Sequence, residues 1–293
     1  MANTLLTASI IARAAIATLY ENAVMPSLVY RDLEDDFNTN VNGYRQGQTV
    51  TVRKPATFTS NSFARPAGIT IQDATETSET VTIDQFEEVS FALNDEERAL
   101  EIGEFNDRLI VPAMEALWQK LDVDLLALRA DVITATNTVG VDATPPTDPT
   151  IIVDARKVMN ENKVPHNPRY AVWSPLVEAN FLKDPLFHQA DQRGDTTGLR
   201  EASIGRKFGA DHFMDQNITD DDGLMFHPHA FVLAMRPLPT NNSGVDSFAA
   251  MYKGLSLRTT IGYDIVQKQE VCSIDMLYGV KTLDADKAVV IRG

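Results

Sequence analysis

Histidine and aspartate are the residues of this chain whose spacing comes nearest to chemistry. His227 and His229 stand two apart, so on a strand both imidazoles would share a face, and with His212 or Asp215 they would offer ligands to a divalent metal. Pro228 between them favours a turn, and no cysteine or second close histidine pair completes the set, so a metal site is not expected. Asp220-Asp221-Asp222-Gly223 has the acidity of a calcium loop without its spacing. Such a loop alternates its acidic positions and places a glutamate six residues after the glycine, where this chain has His229. A solvated turn is expected there. The five histidines and the serines lack a Gly-x-Ser-x-Gly elbow to organise a nucleophile. A phosphate loop, a dinucleotide glycine fingerprint and a His-Glu-x-x-His zinc helix are also missing from the sequence. No catalytic residue, cofactor or metal is expected. The single cysteine, Cys272, rules out a disulfide within the chain and reads as a small buried apolar side chain in a protein that folds in a reducing compartment.

The elements that would position any such groups are unusual in proportion. Thr49-Val50-Thr51-Val52-Arg53 and Glu79-Thr80-Val81-Thr82-Ile83 alternate β-branched with polar residues, the period of half-buried strands. Ala64-Arg65-Pro66-Ala67-Gly68 supplies turn residues between them, which predicts a long hairpin. Its return limb is acidic: residues 73–101 hold ten Asp and Glu against one Arg. That run reads either as a solvated face or as a surface whose carboxylates meet Arg and Lys of another copy of the chain, fixing register and partner choice.

A long helix is predicted next, over about Phe105 to Thr136. Ile110, Met114, Leu117, Leu121, Leu125, Leu128 and Val132 recur at spacings of three and four and form one apolar stripe, a scaffold packed against a sheet. At 1.5 Å per residue it would span about 45 Å. Asn94 or Asn106 could cap its start, and Pro112 is tolerated within the first turns. Upstream, Ile10, Ile11, Ala14, Ala15 and Leu19 predict an amphipathic helix from Thr7 to Asn22. Downstream, Gly140 to Pro149 reads as a hinge. A helix over Thr150 to Asn162, a strand over Arg169 to Trp173 and a helix opened by Pro175 follow. Residues 184–211 read as long loops, Ala230 to Met235 as a buried strand, and Leu255 to Leu283 as alternating strands.

Composition bounds the function. With 293 residues and 44% hydrophobic content the chain can bury a large core. A net charge of −15 argues against a surface built to neutralise phosphates. No run approaches the roughly 20 apolar residues of a membrane span, and the apolar N-terminal run lacks a basic leader, so a signal peptide is not expected.

Several segments resemble a known family. Ala2-Asn3-Thr4-Leu5-Leu6-Thr7 with Ile11-Ala12-Arg13, Gly47 with Val50-Thr51-Val52-Arg53-Lys54-Pro55, Arg108-Leu109-Ile110-Val111-Pro112-Ala113, Asn162-Lys163-Val164-Pro165, and Leu199-Arg200 with Ile204-Gly205 are similar, in that order, to coat proteins of tailed double-stranded DNA bacteriophages. The resemblance is nearest to the coat protein of short-tailed enteric phages. It implies an α+β chain of the tailed-phage capsid fold, called HK-ninety-seven-like. Its expected parts are an N-terminal arm (1–46), an extended loop (47–93), a peripheral domain with a spine helix (94–147), an axial domain (148–250) and peripheral return strands (251–293). It also implies a virion structural protein, assembled in the host cytoplasm into hexamers and pentamers of an icosahedral shell. Its partners would be further copies of itself, a scaffolding protein, a portal protein and a decoration protein, around double-stranded DNA that it encloses without reading. A bacterial encapsulating nanocompartment is the alternative within the same fold. By position, Asn61, Phe63 and Arg65 at the loop tip and Glu87 and Glu88 on the acidic limb are the expected intersubunit contacts. Longer relatives carry an inserted β domain late in the axial part, for which Asp215 to Val245 is too short. Some capsids of this fold lock covalently through a loop lysine, but this chain has no lysine between Lys54 and Lys120, so non-covalent locking is expected.

Overall fold

A computed structural model of the chain describes residues 13, 24–31, 49–54, 58–63, 65, 69, 71–74, 77–94, 109–188, 204–218, 221–240, 245–252 and 255–293. The helix expected from Thr7 to Asn22 lies outside these residues except at Arg13, which is helical and holds its guanidinium carbon 5.9 Å from the centre of the Phe248 ring. Asn106, a candidate cap, also lies outside them.

Helix α1 (Met25–Leu28) is a single turn, α2 (Val111–Ala127) is the long helix, and after a break at Leu128 the chain resumes as α3 (Arg129–Val132). The apolar stripe holds: Ile110, Met114, Leu117, Leu121, Leu125 and Val132 are buried, and Leu128 packs partly against the same cluster. Pro112 sits in the first turn of α2, where a missing N–H costs no helical bond. The run is shorter than the sequence suggests, because helix ends at Val132 and not at Thr136. There the Thr134 hydroxyl accepts the Asn137 N–H at 3.2 Å, and the Asn137 side chain donates to the Ala285 carbonyl at 3.2 Å. Local side-chain bonds of this kind compete with helix. At 1.5 Å per residue, α2 is roughly 25 Å long.

Strands β1 (Thr49–Lys54) and β2 (Thr77–Thr82) pair antiparallel, from Thr49 opposite Thr82 to Lys54 opposite Thr77. The next strand, β3 (Gln85–Asn94), leaves this ladder and pairs along its length with the long strand Gln269–Thr282. The paired hairpin expected to reach Leu93 therefore closes at Thr82. The reason is alternation: Val89 and Phe91 pack against the core beside α2, which recruits the strand into the body of the protein.

The remaining strands are β4 (Thr138–Gly140), β5 (Tyr170–Trp173), β6 (Arg206–Lys207), β7 (Ala210–Met214), β8 (Gly223–Phe226), β9 (Phe231–Met235), β10 (Asp246–Tyr252), β11 (Leu255–Asp264), β12 (Gln269–Thr282) and β13 (Ala288–Arg292). One antiparallel sheet runs β10-β11-β12-β3, with β9 also on β12. The other is mixed and runs β4-β13-β8-β5-β7-β6. Its two faces follow the period of two. Val172, Leu224, Phe226 and Val290 join the large core around α2, whereas Ala171, Trp173, Met225 and Val289 join a second core under helices α4 (Ile151–Glu161) and α5 (Pro175–Lys183). Ser174 caps α5 by accepting the Val177 N–H at 3.4 Å.

Two expectations for the second half change. Within 184–211, taken as loops, the chain forms a short helix α6 (Pro185–His188) and the β6–β7 hairpin, whose turn places Phe208 at φ 49° and Gly209 at φ 82°. Positive φ at both central residues is the geometry that matches strand twist, and Phe208 gives no sequence warning of it. The stretch Gly140 to Pro149, taken as a hinge, is tied down. Gly140 ends β4 opposite Arg292, Asp142 pairs with Arg292 at 2.9 Å, and Ala143 donates to the Gly293 carbonyl at 2.7 Å.

Candidate interaction surfaces

The histidines do not converge. His212, on β7, accepts the Trp173 indole N–H on Nδ1 at 2.9 Å and reaches the Lys207 carbonyl from Nε2 at 3.1 Å, which fixes a neutral ring with its proton on Nε2. Burial lowers its pKa further. His227 stacks on His229 with ring centres 5.3 Å apart, and its Nδ1 accepts the His229 backbone N–H at 3.2 Å. Burial, then the charges of His229, Lys287 and Arg169, pushes its pKa down to about 4. Asp215 lies at the far end of the same sheet, beyond the Trp173 end of β5, whereas His227 follows the Tyr170 end. Among the described residues no group of three or more His, Cys, Asp or Glu is placed to hold a metal.

The acidic turn is also not a solvated one throughout. Asp222 is buried, accepts the Gly293 N–H at 3.0 Å and lies 3.6 Å from the Arg129 guanidinium, so its carboxylate anchors α3 and β13 to the sheet. Cys272 is buried on β12. It is the small buried side chain the sequence suggests, and burial, then the carboxylates of Glu270 and Asp275, pushes its thiol up to about 12.

Among the described residues the outer hairpin carries several exposed apolar side chains. Its base is seated: Val81 and Ile83 are buried against Val232, Ala234 and Leu283 in a third small core. Farther out, Gln72 clamps the opposite limb, accepting the Thr59 N–H on Oε1 at 2.8 Å and donating from Nε2 to the Thr59 carbonyl. Thr59 and Gln72 keep the register of the β1–β2 ladder, which centres the tip at Arg65. Asn61, Phe63 and Arg65, the expected tip contacts, are all exposed. So are three apolar residues that the sequence reading passed over: Phe58 is 66% exposed, Ile69 79% and Ile71 83%, beside Phe63 at 67%. Phe58 stands alone in a polar run, and Ile69-Thr70-Ile71 is too short an alternation to mark an exposed face.

Glu87 and Glu88 do not join the tip. Both lie on β3 in the body sheet, on opposite faces. Glu87 turns toward α2 and comes within 3.9 Å of Lys120, which itself pairs with Asp124 at 2.6 Å. Glu88 is exposed, stands opposite Asp275 and accepts the Ser90 hydroxyl at 3.3 Å. The five expected contact residues thus fall in three places: the tip with Asn61, Phe63 and Arg65, the outward Glu88 on the sheet, and Glu87 turned toward α2 on its other face. A second exposed apolar tip, Ile265 and Val266 in the β11–β12 turn, was not anticipated from the sequence.

No protein-family model matches the sequence, and no curated protein matches it. Solved structures match almost end to end. A protein of Mycobacterium phage Che8 superposes with a TM-score of 0.67 at 21% identity, covering 92% of this chain and 91% of that one. The capsid structure of the cyanophage P-SCSP1u gives 0.62 at 13% identity, over 84% of each chain. The virus-like particle from Pyrococcus furiosus gives 0.54 at 10% identity, over 97% of this chain and 98% of that one. With two sheets astride one long helix and a projecting hairpin, this is an α+β chain of the tailed-phage capsid fold.

Proposed function

We propose that this chain is a major capsid protein, the repeated subunit of an icosahedral shell around double-stranded DNA. The observation that carries the reading is the hairpin. It has a seated base and a clamped shaft, and its outer part presents Phe58, Phe63, Ile69 and Ile71 to solvent. Apolar surface gathered on a projecting arm calls for a partner, and a shell of identical subunits supplies one to every arm. The likeness in fold to the capsid and virus-like particle structures supports the same conclusion.

In this reading the subunits form hexamers and pentamers, and each tip, through Asn61, Phe63 and Arg65, lies on a neighbouring copy. Many such contacts summed over a shell give avidity while each remains weak enough to correct errors. Glu88 is the outward carboxylate available to a basic neighbour. Glu87 shares Lys120 of its own chain and contributes less. With no lysine between Lys54 and Lys120 the tip of the loop has no amine for a covalent lock, so the shell is held non-covalently. A net charge of −15 suits a wall that encloses DNA without gripping it. The sequence resemblance narrows the class to coat proteins of short-tailed phages, assembled in the host cytoplasm with a scaffolding protein and a portal protein and joined by a decoration protein.

Electron microscopy of the purified chain, with and without co-expressed scaffolding protein, tests the reading. Closed shells are expected, and tubes, rings or a monomer under all conditions would overturn it. The virus-like particle among the similar structures keeps a cargo-enclosing compartment as the second reading; particles that copurify with an enzyme and no nucleic acid would favour it.

A further inference from the structure

Two carboxyl groups are buried against each other where three parts of the fold meet. Asp122, on α2, is fully buried, and Asp215, in the turn after β7, is 2% exposed. Asp122 Oδ1 accepts the backbone N–H of Met25, the first residue of α1, at 3.0 Å, and its Oδ2 accepts the Asn217 side-chain amide at 3.2 Å. Asp215 Oδ1 accepts the Asn217 backbone N–H at 2.9 Å. Asp215 Oδ2 is buried, and no donor of the described residues reaches it. Asn217 bonds to both carboxyl groups, through its backbone to Asp215 and through its side chain to Asp122, which brings the two side by side. Two ionised carboxylates buried side by side on one asparagine repel too strongly to persist in a core. A shared proton is the donor that completes this arrangement, as in other buried carboxyl pairs.

We propose that the Asp122–Asp215 pair is a proton-operated latch that holds the start of α1 and the β7–β8 turn on the long helix, and that opens as its proton is withdrawn. The geometry puts all three elements on one carboxyl pair. From α1 the group that faces Asp122 is the Met25 amide, and from the β7–β8 turn the groups are Asp215 and Asn217. Of the other charges of this helix, Glu115 is exposed to solvent, and the rest face away. Lys120 and Asp124 face β3 and β12, where Asp124 accepts the Tyr278 hydroxyl at 2.6 Å, and Arg129 of α3 lies against Asp222.

The direction follows from linkage. Burial first, and then the Asp215 carboxylate, raises Asp122 to about 8. Once the latch opens and water reaches it, the group returns to the ordinary carboxylate range near 4. Between these values the closed form holds a proton that the open form lacks, so closure weakens as pH rises from about 4 to about 8 and levels off above. The latch is shut in acid and loosest in mild base.

The test is amide hydrogen exchange of the full chain at Met25, taken relative to the Val172 amide in the centre of the mixed sheet and corrected for the intrinsic rate. From pH 5.5 to 8 the opening equilibrium at Met25 is expected to rise on the order of a hundredfold, then to level off. Asp215→Asn supplies a permanent donor at the Oδ2 position and keeps Oδ1 for Asn217. It should reduce that rise at least threefold. A smaller reduction, or a wild-type profile that is flat from pH 5.5 to 8, would overturn the latch. Infrared spectroscopy of the unaltered protein decides the matter if the variant does not fold. The carbonyl stretch of a buried protonated carboxylic acid should be present at pH 6.5 and lost by pH 9, and its absence at pH 6.5 refutes the shared proton.

Discussion

Replacing Gly279 by alanine should re-aim the hairpin while leaving the body of the protein folded. Gly279 lies on β12 opposite Ala234, directly beneath the point where the hairpin joins the sheet. A Cβ there would stand 2.0 Å from the Thr82 carbonyl oxygen, 2.8 Å from its carbon and 2.9 Å from the Ile83 Cα, all backbone atoms that no rotamer change can clear. Since carbon and carbonyl oxygen approach to about 3.3 Å at closest, the hairpin base must rise by about 1.3 Å. The clash falls at the seat of the hairpin in the third core, so a tilt there is carried out along a six-residue ladder about 20 Å long and moves its far end by several ångströms. That displacement is enough to miss a neighbour. Relief by swinging also caps the energetic cost, so overpacking should take about 1–2 kcal/mol from the subunit, the lower part of its usual range. Gly262 on β11 is the control, because its added Cβ would meet only the Val245 side chain, at 3.1 Å. The assay pairs urea unfolding of the monomeric subunit with shell yield by electron microscopy. Expected are a shift of that size, few or aberrant shells for Gly279→Ala, and normal shells for Gly262→Ala. Unchanged stability together with normal shells for Gly279→Ala would refute both the close approach and the role given to the hairpin angle.

Three further outcomes test other parts of the argument. Leu121→Ala empties a fully buried position at the centre of the long helix and should cost about 2–5 kcal/mol in urea unfolding. Phe58→Ser with Phe63→Ser removes exposed rings without touching a core cluster, so unfolding should move by less than about 0.5 kcal/mol while shell yield falls severalfold; an equal loss of both would show that the tip belongs to the subunit's own core. Glu88→Lys should leave the subunit as stable or slightly more stable, because the new cation faces Asp275, yet reduce assembly; unimpaired shells would remove Glu88 from the interface.

What was legible in the sequence is what local periodicity encodes. The stripe from Ile110 to Val132 names the buried face of α2, and alternation around Val81 names the seated limb of the hairpin. The bounds of α4 match because Thr150 and Asn162 flank it on either side. Partnership over long separations is not encoded this way. Nothing near Gln85 says that its strand will pair with Gln269 to Tyr278 and not with the outgoing limb. Asp122 sits beside Leu121 in an amphipathic helix, where an aspartate ordinarily marks the wet face. Only folding brings it to Asn217 and Asp215, in a turn that belongs to another layer. Phe58, Ile69 and Ile71 are exposed, and residues this few and this scattered do not announce a surface in the sequence.

The acidic limb shows how one sequence feature divides into two physical roles. As a run of charge it reads as a single surface, but once β3 joins the sheet its residues alternate between faces. The inward carboxylate, Glu87, meets Lys120 and lies in the field that, with burial and the Asp124 bond, raises the Tyr278 hydroxyl. It serves to dock helix on sheet. The outward carboxylate, Glu88, has Ser90 as its hydrogen-bond donor and Asp275 directly across, and Asp275 is already neutralised by Arg258 at 2.6 Å. Among the described residues no cation pairs with Glu88, which stands exposed at the surface. Charge density along the sequence overstates what a partner can meet, and the strand pleat decides which half of it remains.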